Sequence, residues 1–116
     1  MSSSTTGGKA NALIACLAGY LVCIVGAGLL WERPLVLTLV YVFTSGLMLW
    51  RWHAKIDVYV FFFAAFFGPL GEFFAIRMGA WKYAQAPFDI PIWLPLAWGI
   101  AALSLWKACY VLARDP

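Results

Sequence analysis

The sequence predicts an all-α fold, an up-down bundle of four transmembrane helices in a polytopic membrane protein. Of its 116 residues 65% are hydrophobic and only 11% charged, too little polar surface to cover a soluble core of that size. Apolar stretches of about 20 residues, the length that crosses ~30 Å of hydrocarbon, recur at residues 10–30, 34–52, 57–76 and 91–113. The first two connections, WERP and RWHAK, are short, which sets consecutive helices antiparallel; the third, RMGAWKYAQAPFDI, is longer.

The elements follow in order. Residues 1–9, opening MSSSTTGG, are small and polar and read as a flexible tail before a single domain at 10–116. Leu13-Ile14-Ala15-Cys16 resembles a lipoprotein cleavage box. The apolar stretch before Cys16 is short for a signal core, however, and the run continues to Leu30, so a spanning helix is the better reading. In this span Ala12, Cys16, Gly19, Cys23 and Gly26 are spaced 4, 3, 4, 3, a stripe of small residues that admits a neighbouring helix. Its thiols read as packing groups.

The second span opens on Pro34, suited to a first helical turn. Thr38, Tyr41, Ser45 and Met48 form a seam along it, polar through its outer half. The third span begins with Asp57, placed to form an anchoring ion pair with Lys107 or Lys55. The fourth carries a small-residue stripe of its own in Ala97, Ala101, Ser104 and Ala108.

Composition also narrows function. Cys16, Cys23 and Cys109 form no CxxC, and His53 is the only histidine. A redox dithiol, a zinc site and bis-imidazole haem are therefore not expected, and we assign no metal and no cofactor. The net charge of +3 is dispersed, without the basic cluster that nucleic acid requires. Aromatics fall into two belts: Trp31, Trp81, Tyr83 and Trp93 at one face, and Trp50, Trp52, Tyr59, Trp106 and Tyr110 at the other. Lys9, Arg51, Lys55, Lys107 and Arg114 lie on the side of the termini, against Arg33, Arg77 and Lys82 opposite. The positive-inside rule then places both termini in the cytoplasm, and we expect a prokaryotic inner membrane.

The stretch FFGPLGEFF, residues 66–74, places Glu72 within an apolar run. At about 100° per residue, Glu72 shares a face with Ala65, Gly68, Pro69, Ala75 and Ile76, while Phe63, Phe66, Phe67, Phe74 and Leu70 lie elsewhere. The small face should turn into the bundle and the phenylalanines outward. Pro69 removes a backbone donor and opens space below the carboxyl. At matching depth lie Thr38 and Tyr41, Gly26, and Pro95 and Trp98, the expected neighbours of Glu72. Trp81, Tyr83, Phe88 and Trp93, interleaved with Pro87 and Pro91, read as an ordered interfacial segment over the bundle mouth. The candidate ligand-binding set is therefore Glu72, Tyr41, Thr38, Trp98, Tyr83 and Trp81, with Glu72 the one catalytic candidate.

The blocks Gly68-Pro69-Leu70-Gly71-Glu72, Gly79-Ala80-Trp81-Lys82-Tyr83, Pro87 and IPIWLPLAWG at 90–99 resemble a segment of uncharacterised small prokaryotic multi-pass proteins. They are loosely similar to carotenoid hydratases of the bacterioruberin pathway, over residues 68–99 only. That resemblance implies an acidic role for Glu72, with Tyr83 and Trp98 lining a pocket. The hydratases are longer and carry further acidic residues without counterparts here.

A carboxylate in hydrocarbon costs on the order of 3 kcal/mol, so it pairs, neutralises or faces water. Three functions fit. The first is an accessory or assembly subunit, or a bundle binding an apolar ligand such as a lipid or isoprenoid, within a homo-oligomer or larger membrane complex. The second is an enzyme using Glu72 as general acid on a polyene or lipid. The third is a proton-coupled transporter. The small multidrug transporters carry their glutamate in the first helix, and this first span has none; the glycine-rich motif of the dual-topology fluoride channels is also missing. One carboxyl without a second acid, metal set or nucleophile favours the non-catalytic reading.

Overall fold

The computed structural model describes residues 2–84, 86 and 89–114, with side chains from residue 7 onward. These residues form α1 (Ser2–Leu30), α2 (Pro34–Arg51), α3 (Lys55–Arg77) and α4 (Leu94–Ala113). All four helices are long and apolar enough to cross a membrane.

α1 begins at Ser2, within the stretch expected to be a tail. Its 29 residues span about 43 Å at 1.5 Å per residue, more than the ~30 Å of a hydrocarbon core. Helix extension adds one hydrogen bond per residue once a nucleus exists, so the apolar span carries the polar segment with it. Near that end Lys9 Nζ donates to the carbonyl of Arg114 at 2.7 Å, tying α1 to the end of α4. α2 starts on Pro34 as expected. α4 starts at Leu94, later than residue 91, and Pro95 rather than Pro91 occupies its first turn.

α4 is the hub. It packs on α1 and α2, which also pack on each other, while α3 packs principally on α4. α1 runs antiparallel to both α2 and α4, which are parallel to each other: Gly19 of α1 lies against Ser104 of α4 and Met48 of α2, and Gly26 lies against Leu37 and Tyr41. The stripe of α1 is the packing face, with Ala12, Cys16 and Cys23 all buried. The buried edge of α2 is Leu37, Tyr41, Ser45 and Met48, with Leu37 in the place expected for Thr38.

Reciprocal close approaches join α3 to α4. A Cβ at Gly99 would stand 2.7 Å from the ring of Phe61, and one at Gly68 would run into the indole of Trp98. Each helix thus lends a glycine to receive an aromatic side chain of the other, a contact that any larger residue blocks. α3 continues through Pro69, which is buried. Phe63, Phe66, Phe67 and Phe74 are all more than half exposed and turn outward as expected, and Phe62 joins them.

At the terminal end of the bundle Asp57, 1% exposed, accepts from three groups. Lys107 Nζ lies 2.7 Å away, and the indole N–H of Trp106 and the amide of Ala54 donate at 3.2 Å each. The amide bond is half of a capping box, because alanine at the N-cap has no side chain to return it. Of the two lysines considered for Asp57, Lys107 is the one that pairs.

Candidate functional site

Glu72 lies on the side of α3 that meets α4. Tyr83 Oη donates to one carboxylate oxygen and Trp98 Nε1 to the other. Trp98 comes from the first turns of α4 and Tyr83 from the connection before it, so the site joins residues 11 and 26 positions from Glu72. Beside the carboxylate runs a groove of about 570 Å³ between α3 and α4, walled by Ala64, Phe67, Gly68, Gly71, Trp81, Trp98 and Ala102. Glu72 is the sole charged residue among its walls. Each of its oxygens keeps further acceptor capacity after one hydrogen bond, so the carboxylate presents an acceptor to whatever occupies the groove.

Tyr83 is itself held from behind. Trp93 is buried and meets Tyr83 edge-on at 6.1 Å and Tyr41 edge-on at the same separation. It therefore belongs to the core and not to an interfacial belt, because its turn lies beneath the connection, against α2. Burial pushes the Tyr83 phenol above its ordinary pKa, and the hydrogen bond and charge of Glu72 push it further. The phenol thus keeps its proton as a donor to the carboxylate.

Four of the six expected ligand-binding residues meet here: Glu72, Tyr83, Trp98 and Trp81. Thr38 and Tyr41 do not. Thr38 Oγ1 donates to its own helix at Pro34 O, 2.7 Å away, and Tyr41 Oη donates to the carbonyl of Cys23 at 2.5 Å. Matching depth put them near Glu72, but both lie on α2, whereas α3 packs principally on α4, and Tyr41 lies against α1. Pro87 and Phe88 of the expected lid lie outside the described residues. Across the mouth, Arg77 pairs with Asp89 at 3.4 Å and leaves Glu72 alone.

Sequence reasoning missed the groove walls Ala64, Gly71 and Ala102. A signal was available: Ala64, Gly68, Gly71 and Ala75 are spaced 4, 3, 4, a small-residue stripe directly beside the carboxyl. Among the described residues no group of three or more His, Cys, Asp or Glu side chains is arranged to hold a metal ion. A small integral-membrane-type helical bundle with one carboxylate-bearing groove is the class this geometry defines. Comparison with family models, with curated proteins and with solved structures finds no match.

Proposed function

We propose that this chain is a polytopic protein of a prokaryotic inner membrane that binds an apolar ligand of lipid or isoprenoid type in the α3–α4 groove, with Glu72 accepting a hydrogen bond from the ligand's single hydroxyl. The observation that carries the reading is Glu72 held by two neutral donors at the wall of an otherwise apolar groove. Ligand sites of this kind combine apolar walls with few, well-placed polar groups. The five cations on the side of the termini support cytoplasmic ends.

Trp81 and Trp98 line the groove, so their fluorescence reports its occupancy. Purified protein in nanodiscs is titrated with a long-chain prenyl alcohol and with the matching hydrocarbon lacking the hydroxyl. The alcohol is expected to bind at least tenfold more tightly, the worth of a hydrogen bond to a charged group, and Glu72→Gln to erase most of that difference. Equal binding of both probes, or an unchanged preference in Glu72→Gln, overturns the reading.

A second reading makes Glu72 a catalytic acid on a polyene or lipid. It is favoured by the meeting of Glu72, Tyr83 and Trp98, the residues matched in the resemblance to carotenoid hydratases. It requires Glu72→Gln to abolish turnover, read as a change in the lipid or polyene extract of cells producing the protein; identical extracts exclude it.

A further inference from the structure

A second groove, of about 690 Å³, lies on the other flank of the molecule, between α1 and α2. Ala15, Ala18 and Gly19 line it from α1 and Phe43 and Leu47 from α2, and Arg51 stands at the end where the termini lie. From Leu39 to Arg51 it follows α2 for about 18 Å at 1.5 Å per residue. That is close to the ~15 Å depth of one leaflet's hydrocarbon. An apolar channel one leaflet deep, with a cation at the headgroup level, has the dimensions and charge of a phospholipid.

Arg51 is placed for such a partner. Among the described residues no carboxylate pairs with it, and its guanidinium stands 5.5 Å over the Trp52 ring. Among the described residues, the other charged groups at this end do not compete. Asp57 is taken by Lys107, Lys9 is bound to a carbonyl, and Lys55 adds positive charge. The field at the mouth therefore favours an anion, which a planar guanidinium grips through two oxygens of a phosphate.

We propose that the α1–α2 groove seats one acyl chain of an anionic phospholipid whose phosphate is held by Arg51. The proposal rests on the membrane-spanning reading above and on nothing concerning Glu72. Wild-type protein is reconstituted in nanodiscs of equal parts phosphatidylglycerol and phosphatidylcholine, and retained lipid is counted by native mass spectrometry. Alkaline carbonate extraction of cell membranes is run alongside, so that failure of membrane insertion is seen separately. Phosphatidylglycerol is expected to be retained preferentially, and Arg51→Gln to lower that preference about fivefold, the effect of one basic residue at an anionic surface. Arg51→Lys, which keeps the charge without the two-oxygen grip, should fall between wild type and Arg51→Gln. Ala18→Phe, which fills the groove from an exposed position, should lower retention of both lipids alike. Equal retention by the wild type, or an undiminished preference in Arg51→Gln, overturns the proposal while carbonate-resistant protein leaves the membrane reading standing. Cross-linking between two copies through Ala18→Cys, on a Cys109→Ser background, also overturns it by making a second chain the occupant.

Discussion

The α3–α4 interface holds two carboxylates, and they are treated in opposite ways. Asp57 is buried and charge-compensated: Lys107 neutralises it, and Trp106 and the Ala54 amide supply the remaining donors. Glu72, some four helical turns along α3, also accepts an indole N–H from α4, but its second partner is the neutral phenol of Tyr83. Asp57 is enclosed by packed side chains, whereas Glu72 borders an apolar groove. A compensated, enclosed carboxylate is a fastener. One held by two neutral donors beside an apolar groove keeps acceptor capacity for a ligand.

The largest expected effect tests the fastener. Lys107→Met leaves Asp57 charged and enclosed without its cation, and should cost about 3–5 kcal/mol, read as denaturant unfolding in detergent. Adding Asp57→Asn to that variant should restore much of the loss, since removing both charges relieves the desolvation. If Lys107→Met proves neutral, the terminal end is not fastened by this pair.

Next comes the interface between the two carboxylates. Gly68→Ala places a methyl where the Trp98 indole now lies, whereas the same change at Gly71 meets nothing within 4 Å. We expect Gly68→Ala to destabilise by about 1–3 kcal/mol through overpacking and to disturb the tryptophan fluorescence. Gly71→Ala should be neutral or stabilising by up to about 1 kcal/mol, as in other helix interiors. Equal effects at the two positions contradict the close approach at Gly68.

At the ligand end, Tyr83→Phe removes one donor and should cost about 1 kcal/mol, far less than Lys107→Met. The pH dependence has a definite sign. The Tyr83 phenol is raised in the folded state above its ordinary value of 10.0. Its contribution is therefore complete below pH 10 and is lost as pH rises above it, when the unfolded chain ionises first. Ultraviolet titration of tyrosinate should show Tyr83 ionising earlier in Glu72→Gln, because the neighbouring charge is gone. An unmoved titration breaks the Tyr83–Glu72 link. The smallest effect is expected at the Arg77–Asp89 pair, whose side chains are 67% and 40% exposed. Asp89→Asn should change stability by less than about 1 kcal/mol.

Much of this was legible in the chain. Four runs of spanning length gave the helices, because backbone groups in such apolar surroundings must bond within their own segment. The 4, 3, 4, 3 stripe of Ala12, Cys16, Gly19, Cys23 and Gly26 gave the buried face of α1, since helical phase is a local property. Glu72, Tyr83, Trp81 and Trp98 could be nominated one by one as polar or amphipathic groups near one end. Thr38 and Tyr41 were nominated on the same ground and are bonded elsewhere.

The sequence by itself determined the number of helices, their antiparallel order and which face of α3 carries its phenylalanines, all consequences of hydropathy, link length and a fixed helical period. Only the tertiary structure decided that α3 docks on α4 instead of α2, and hence that Glu72 meets Trp98 and Tyr83 rather than Tyr41 and Thr38. Every helix here presents small residues and aromatics, so composition does not distinguish one pairing from another. The choice follows from the fit of Phe61 at Gly99 and of Trp98 at Gly68. These are contacts between residues far apart in the chain, and no local pattern encodes them.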